Sequence, residues 1–384
     1  MKKTLAECFE NLPDPRKRID IEHKLMDIII IAIIAVMCGA NGFNEIEIFG
    51  KSKKKWFKKF LELSNGIPSH DTFNRVLSAL NPNEFHKCFM NWVSTLYEKI
   101  SREIISIDGK TARRTKEKIK NQKAIHVVSA WANENKLVLG QIKVDDKSNE
   151  ITAIPELLKL LDINGCIITI DAMGTQTEIA ETIINNAGEY VLALKENQKT
   201  LHDDVELYFD EEILNKPKKE LIEKEIYHKT IEKDHGRIEK REYYMTKDVS
   251  WLSSINKWAN LSAIGMVNSE IQENDITSIN RRFYIMSEIK DVKEFSVAVR
   301  SHWGVETSLH WCLDVGFRED ESRARKDNSA ENLNIIRHMN LNMLKKETSI
   351  KIGIAGKRLK CGWDESYMEK VLLAGFQIDK AEIT

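Results

Sequence analysis

The stretch CIITIDAMG, residues 166–174, indicates the fold most directly. Its β-branched run ends at Asp171 and is followed by Gly174, which is typical of a buried strand that stops at a polar turn. A second stretch, EIISIDG at residues 103–109, repeats this pattern and ends at Asp108. Ligands of α/β sheets collect beyond the carboxyl ends of strands. If the two strands are parallel neighbours about 4.8 Å apart, their carboxylates repel each other unless a hard cation such as Mg²⁺ binds both.

The periodicity around these two strands predicts a mixed α/β order rather than a purely parallel sheet. Three strands come first, and helix–strand–helix–strand follows. A region at about 205–290 then alternates in hydrophobicity and indicates a β-rich insertion. The chain is helical before about residue 100, and helical again from about residue 291 to 346. The segments predicted as strands are EIISIDG, AIHVVSAWA, LVLGQIKV, CIITIDAMG, YVLALK, IEKREYYMT, ANLSAIGMV and RRFYIMSEI.

Composition is that of a soluble globular protein. The chain has 384 residues, 42% hydrophobic and 30% charged, with a net charge of −1, so any affinity for nucleic acid must be local. Six scattered cysteines without a CxxC pair indicate reduced thiols, and we expect a cytoplasmic protein. The apolar run LMDIIIIAIIAVMC, residues 25–38, is shorter than the roughly 20 residues that a bilayer requires, so it predicts a buried helix and no membrane partner.

Three basic segments favour a polyanionic partner, although a solvated charged face is the alternative for each. Seven basic residues and one acid lie between Lys110 and Lys123. Six lysines lie within residues 51–59, interleaved with aromatic residues, and HGRIEKRE at 235–242 forms another basic loop. Two short helices around GIPSHDTFNRV would suit a helix-turn-helix, with Asn74 and Arg75 on the helix that enters the major groove.

A third carboxylate, Glu306, lies in SHWGVETSLHWCLDVGFREDESRAR, residues 301–325. On a helix its face is shared with aromatic, apolar and histidine side chains, so it requires a cationic partner. That partner is an arginine, a lysine or a divalent metal. If Glu306 converges with the two strand-end aspartates, three carboxylates are enough for two metal ions about 4 Å apart, which suits in-line displacement at phosphorus. A zinc site of His302, His310 and Cys312 is a weaker alternative, because its spacing matches no closed module.

The residues also match a known family. The whole chain resembles the DDE transposases of bacterial insertion sequences, in the group that includes the H-repeat-associated proteins. The resemblance is carried, in order, by DPR near the start, GIPSHDTFNRV, SIDGKTARR, ITIDAMGTQ, ALKENQKTL, DHGRIEKRE, RSHWGVETSLHWCLDVGFREDESR, NSAENLNIIRHMNLNMLK and GKRLKCGW.

The resemblance implies an α/β fold of three parts. Residues 1–100 would form an N-terminal all-helical, transposase-associated DNA-binding domain. Residues 101–346 would form an RNase H-like DDE catalytic domain, with a mixed five-stranded sheet of order 3-2-1-4-5 and the β-rich insertion at about 205–290. Residues 347–384 would be a basic C-terminal tail. This strand order makes the Asp108 and Asp171 strands neighbours.

Carried over by position, Asp108, Asp171 and Glu306 would be the catalytic and metal-binding residues. In the broader relatives a Tyr–Arg–Glu–Lys signature surrounds the glutamate. Here Val299, His302 and Leu313 stand at the Tyr, Arg and Lys positions, which leaves open how the DNA is held there. The acidic residues Glu319 and Asp320 are the main rivals of Glu306 as the third ligand.

The resemblance therefore implies a transposase that cleaves DNA at terminal inverted repeats and transfers the freed strand to target DNA. It would use two Mg²⁺ ions, with Mn²⁺ as a substitute, and would act as a homodimer on DNA, associated with the nucleoid when bound. Two alternatives stay open: a domesticated or inactive relative that binds DNA without cutting it, and a general nuclease of the same fold. The residues expected to contact DNA are Lys110, Arg113, Arg114, Lys195, Asn197, His235, Arg237, His302 and Arg323.

Overall fold

The computed structural model describes residues 5–17, 21–116, 123–145, 149–234, 236–273 and 276–376. Its α-helices are α1 (Leu5–Phe9), α2 (Leu25–Met37), α3 (Phe43–Ser52), α4 (Lys54–Phe57), α5 (His70–Ala79), α6 (Pro82–Leu96), α7 (Glu150–Leu160), α8 (Thr177–Asn185), α9 (Lys199–Tyr208), α10 (Lys218–Glu223), α11 (Val292–Gly304), α12 (Ser329–Lys346), α13 (Ile354–Trp363) and α14 (Glu365–Phe376). Its strands are β1 (Ile104–Thr111), β2 (His126–Ala132), β3 (Leu137–Lys143), β4 (Ile167–Ile170), β5 (Glu189–Leu194), β6 (Tyr227–Asp234), β7 (Arg237–Thr246), β8 (Ala263–Glu273) and β9 (Ile276–Met286). Segments of π-helix run over Phe209–Ile213, Val305–His310 and Cys312–Gly316.

Residue contacts divide the chain into two units, and the boundaries between them are not indicated by the periodicity of the sequence. The first unit holds residues 1–98, 109–147 and 306–384, and the second holds residues 99–108 and 148–305. The helices before residue 98 therefore share a unit with the β2–β3 hairpin and with the C-terminal helices. The second unit contains residues 104–108 of β1 and the whole of β4, and so both aspartates.

The sheet of the second unit extends beyond its parallel strands. Seven of its strands are hydrogen-bonded in the order β1-β4-β5-β9-β8-β7-β6. β1, β4 and β5 are parallel, as the expected order requires, and β5 then pairs antiparallel with β9. The strands of the β-rich insertion thus continue this sheet as an antiparallel meander, so the sheet has more strands than the five expected.

Helix α11 covers one face of this sheet. Asp291 caps the helix by accepting hydrogen bonds from the backbone N–H groups of Lys293 and Glu294. Phe295 packs edge-on against Tyr243 and Tyr284 of the meander, with ring centroids 6.2 and 5.3 Å away. The same buried core includes Ile104, Ile167 and Val191 of the three parallel strands. Because side chains alternate along a strand, the residues two and four positions after Ile104 and Ile167 lie on this same face.

Helix α12 forms the centre of the first unit. Fifteen of its 18 residues are buried, many of them polar, and it packs against α2, α5, α6, α14 and β3. Asn332 donates to the backbone carbonyls of Leu77 and Leu80, and Asn340 donates to that of Ile33. The bonds from Asn332 satisfy buried carbonyls at the end of α5, and the bond from Asn340 reaches a carbonyl within α2, so these amide groups have donors paired inside the unit.

Candidate metal centre and nucleic-acid interface

Asp108 and Asp171 directly follow the last paired residues of the parallel strands β1 and β4. Asp171 lies just after the end of β4, whereas β1 continues through Gly109 to Thr111, beyond the end that the sequence predicted at Asp108. The register pairs Ile107 with Ile170, so each aspartate is the next residue along its strand. Both aspartates are half-buried. Asp171 Oδ1 accepts the Gly174 N–H at 3.2 Å, which ties the carboxylate to the following turn. Adjacent strands lie about 4.8 Å apart, so the two aspartates are near neighbours at this edge of the sheet.

This pair of carboxylates fits a hard divalent cation. Oxygen donors suit Mg²⁺ and Mn²⁺ better than softer ions. Burial raises the pKa of the Cys312 thiol above its ordinary value, which makes thiolate formation less favourable there.

A row of hydroxyl groups lies directly beneath the two aspartates. Ser106 pairs in register with Thr169, and both side chains are buried. Thr169 Oγ1 donates to Ser106 Oγ at 3.0 Å, and Ser106 Oγ donates to the carbonyl of Ser301 at 3.4 Å. The Nδ1 atom of His302 lies 3.0 Å from Thr169 Oγ1. His302, expected to contact DNA, therefore has at least one ring nitrogen bonded inside the protein.

Glu306 lies in the π-helical segment Val305–His310. Its side chain is 56% exposed, and its Oε2 atom lies 3.1 Å from Nδ1 of the buried His310. The sequence predicted a histidine four residues away on the same face, and the structure places it in contact. Single π-helical turns are frequent at functional sites. The exposed carboxylate remains available to a ligand on its open side.

The rivals of Glu306 are engaged elsewhere. Glu319 is 1% exposed, with carboxylate oxygens 3.2 Å from Lys110 Nζ and 3.8 Å from Arg337 Nη1. Lys110 Nζ also lies 2.6 Å from Asp314 and 3.7 Å from Asp320. These four residues with Lys110 form a cluster that we call the Lys110 network. Glu319 and Asp320 are thus structural partners of basic side chains.

The Lys110 network is electrostatically coupled. Burial alone would lower the pKa of Lys110, but the attraction of Glu319 and the hydrogen bond to Asp314 outweigh it, and the pKa is raised. Burial alone would raise the pKa of Glu319, but Arg337 and Lys110 lower it below its ordinary value. Both residues therefore stay charged at neutral pH. The sequence could not reveal this arrangement, because the acids lie some 200 positions after Lys110.

A cavity of about 550 Å³ opens beside Asp171. The turns after β4 and β5 form its walls, and Lys195, Asn197 and His202 line it together with Asp171. Asn197 Nδ2 donates to the carbonyl of Ala172 at 2.7 Å, which joins the two turns. The exposed Lys195 thus lies in a concave site next to the carboxylate of Asp171, and Glu196 lines the same site. His202 lines this cavity but was not among the site residues predicted from the sequence.

The remaining basic candidates lie on the surface of the described residues. Arg113 has an 82% exposed side chain, with Nε 3.3 Å from Asp320, while Arg114 and Arg323 are exposed. Arg237 is exposed and its Nη2 lies 3.4 Å from Glu239. His235 lies outside the described residues.

The N-terminal basic region combines buried aromatics with exposed lysines. Trp56 and Phe57 are buried, while most of the lysines around them are exposed. Helix α5 begins after Ser69, whose hydroxyl accepts the Thr72 N–H, and it presents Arg75 to solvent. A helix-turn-helix contact with DNA at this helix therefore stays a prediction.

Family comparisons define the class of protein. The model of the transposase DDE domain family matches residues 99–343, and the model of the DDE_Tnp_1-associated family matches residues 6–93. The chain therefore belongs to the DDE transposases, a class whose substrate is DNA and whose chemistry uses divalent metal.

Individual relatives place the chain within the H-repeat group. It is 39% identical over 375 residues to the "H repeat-associated putative transposase YhhI" of Escherichia coli (strain K12), covering 96% of this chain and 98% of that protein. It is 40% identical over 386 residues to the "Putative transposase YncI" of Escherichia coli O157:H7, covering 98% and 97%. An "Inactive transposase YbfQ" of strain K12 is 42% identical over 76 residues, or 20% of this chain.

Two structural features agree with the composition. All six cysteines lie within the described residues, and no disulfide bond joins any two of them. Within those residues, the helices are too short or too polar to cross a bilayer. The apolar run at 25–38 forms the buried helix α2.

Proposed function

We propose that the chain is an active transposase that cleaves DNA at the terminal inverted repeats of an insertion sequence and transfers the freed 3′ end to target DNA. The observation that carries this proposal is the parallel pairing of β1 with β4, which sets Asp108 and Asp171 next to each other. The family membership supplies the substrate class, and the arrangement of acids supplies the chemistry.

Asp108, Asp171 and Glu306 would hold two Mg²⁺ ions, with Mn²⁺ as a substitute. When bound, these ions would activate water and stabilise the charge that develops at phosphorus. The protein would supply placement: the register of β1 and β4 fixes two of the acids before the metal arrives. Engagement of Glu319 by Lys110 and Arg337 favours Glu306 as the third ligand.

Basic residues around these acids would hold the DNA backbone, since phosphate contacts position a duplex without reading its sequence. Lys195 and Asn197 would act from the cavity beside Asp171. Because the charge of Lys110 is paired with Asp314 and Glu319, we favour a structural role for Lys110 at the end of β1 over a direct contact with phosphate. The other proposed contacts are Arg113, Arg114, His235, Arg237, His302 and Arg323. We propose a homodimer on the paired ends, with the 1–100 region contributing to end recognition and the RNase H-like catalytic domain carrying out both steps.

The test uses the DNA that flanks the gene. Short inverted repeats at the boundaries would be synthesised as duplexes and incubated with the full-length protein and Mg²⁺ or Mn²⁺. We expect metal-dependent nicking at the repeat ends. Asp108→Asn and Asp171→Asn should each lower the rate by at least about 10³-fold, since each removes an ion ligand and its charge, while binding in EDTA is kept. Asp162→Asn is the matched control, because Asp162 is exposed and its described partners are Lys99 and the backbone N–H of Asn164, away from the two strand-end aspartates.

Two results would favour the other candidates. A wild-type protein that binds the repeats but never nicks them would be an inactive DNA-binding relative. Equal cleavage of repeat ends and of random duplex would indicate a general nuclease.

A further inference from the structure

The hydroxyl row below the aspartates closes a loop of hydrogen bonds with helix α11. Each hydroxyl has one hydrogen to donate. Thr169 donates to Ser106, and Ser106 donates to the carbonyl of Ser301. Thr169 Oγ1 can therefore only accept from His302, whose Nδ1 must carry the proton. The chain of bonds runs from His302 to Thr169, to Ser106 and back to Ser301, so it begins and ends on the last turn of α11.

We propose that this loop is a positioning device for the metal centre, with His302, Thr169 and Ser106 as positioning residues. The inference rests on the proposed function, since it concerns the same two aspartates. It assigns His302 to holding the site together, whereas the sequence indicates a DNA contact. The loop fixes the ends of β1 and β4 to one another and to the helix that leads into Glu306, and it sets the tautomer of His302.

Strand geometry explains why the loop acts on the aspartates. Ser106 and Asp108 are two residues apart, as are Thr169 and Asp171, so each hydroxyl lies on the same face as its aspartate. Ser106 is fully buried and Thr169 is 2% exposed, so water does not replace a lost bond there. Metal coordination tolerates errors of only about 0.2 Å in ligand distance. A small splaying of the two strand ends would therefore reach the metal site directly.

Residues that hold metal ligands in place typically affect metal affinity by about 10–100-fold. The direct readout is therefore metal binding rather than catalysis. The full-length protein would be titrated with Mn²⁺ alone, and free Mn²⁺ would be followed by electron paramagnetic resonance. Thr169→Val keeps the shape of the side chain and removes the hydroxyl, and we expect Mn²⁺ affinity to fall at least about 10-fold. Thr169→Ser keeps the hydroxyl and should restore most of the affinity.

Thr182→Val is the matched control. Thr182 is also buried, and its hydroxyl donates to a backbone carbonyl within α8, away from the strand ends. This variant loses the same group and should bind Mn²⁺ as the wild type does. If Thr169→Val does not fold, as judged by near-ultraviolet circular dichroism, His302→Leu replaces it, with His302→Asn as the variant that keeps a donor near the position of Nδ1.

DNA binding in EDTA separates the two roles of His302. A positioning residue predicts that His302→Leu binds repeat DNA with unchanged affinity and unchanged salt dependence while its Mn²⁺ affinity falls. If instead its DNA affinity falls with a smaller salt slope and Mn²⁺ binding is kept, His302 is a phosphate contact and the inference is wrong. Wild-type Mn²⁺ affinity in folded Thr169→Val also overturns it. A wild-type protein that binds no Mn²⁺ would overturn the metal centre itself, and this inference with it.

Discussion

Replacing Lys110 by methionine tests whether its positive charge stabilises the folded protein or contacts the DNA. Lys110 Nζ lies 2.6 Å from Asp314 and 3.2 Å from Glu319, and its side chain is only 12% exposed. Removing one partner of a buried ion pair costs about 3–5 kcal/mol, because the other charge stays buried without it. Glu319 keeps Arg337 at 3.8 Å and an amide hydrogen bond from Asn334, so we expect the lower end, about 3 kcal/mol.

The assay is urea unfolding at pH 7 followed by circular dichroism. With a slope of about 3 kcal/mol per molar urea, a loss of that size lowers the midpoint by about 1 M. Lys116→Met is the control, because Lys116 belongs to the same basic segment but is exposed. The free energy of unfolding of this variant should differ from that of the wild type by less than about 0.5 kcal/mol. In the Lys110→Met/Glu319→Gln double variant the unpaired carboxylate of Glu319 is gone, while Arg337 loses its partner as it does in the Glu319→Gln single variant. The loss in the double variant should therefore be smaller than the sum of the single losses by about 1–2 kcal/mol.

The opposite outcome is equally specific. If Lys110 is chiefly a phosphate contact, Lys110→Met will unfold like the wild type. Its affinity for repeat DNA will then fall, and the slope of log affinity against log salt will shrink by about one. That result would refute the claim that the acidic cluster satisfies this lysine.

Three further changes probe other parts of the structure. Gly174→Ala puts a Cβ atom 2.3 Å from Ile170 Cγ2, so the turn after β4 must shift, and both the urea midpoint and Mn²⁺ affinity should fall, with about 1–3 kcal/mol lost in stability. His86 has its pKa lowered to about 4 by burial, and its Nε2 accepts the Gln141 N–H at 3.0 Å. In the unfolded state this histidine binds a proton near pH 6.5, whereas in the folded protein it does so only near pH 4. The free energy of unfolding should therefore fall by up to about 3 kcal/mol as the pH drops from 7 to 4. His86→Gln should remove this part of the pH dependence when the free energy of unfolding is measured across the same range. The buried Arg358 donates to backbone carbonyls, so Arg358→Met should lower the unfolding free energy by about 3 kcal/mol, and Arg358→Lys should recover only part of it because its ammonium lacks the planar fork.

Local sequence signals were sufficient for the two aspartate strands. A β-branched run that stops at an acid is a property of seven or eight consecutive residues, so the strands that lead to Asp108 and Asp171 could be predicted without any partner. The predicted end of β4 is confirmed, but that of β1 was wrong, because the strand continues through Gly109 to Thr111. Their parallel pairing, which the family resemblance implied, is confirmed. The antiparallel pairing of β5 with β9 was not predicted, because it joins segments about 95 residues apart and depends on no local pattern.

Polar composition concealed two other elements. The segment at 227–234 has the lysines and glutamates of a linker, yet it forms β6 at the end of the sheet. Charges are common on such strands, and here Glu232 is bound by Arg241 and Arg300. Helix α12 has the asparagines of a surface helix, yet it is buried, because those amides donate to carbonyls of other helices and turns. The composition of a segment shows how polar its side chains are, but it does not show which groups those side chains form hydrogen bonds with.

The positioning loop differs from these cases, since its signal is present in the sequence. Ser106-Ile-Asp108 and Thr169-Ile-Asp171 share one pattern: a hydroxyl residue, an isoleucine and an acid at the end of a strand. With a side-chain period of two, the hydroxyl must share a face with the acid and the isoleucine must point away from it. In two parallel strands in register, the repeated pattern then predicts a row of hydroxyls beneath a row of carboxylates. A lone buried hydroxyl is costly, whereas two adjacent ones satisfy each other and need only one further donor and one acceptor. Helix α11 provides both, through His302 and the carbonyl of Ser301. A repeated motif at two strand ends is therefore evidence about the residues that hold a site in place as well as about those that perform its chemistry.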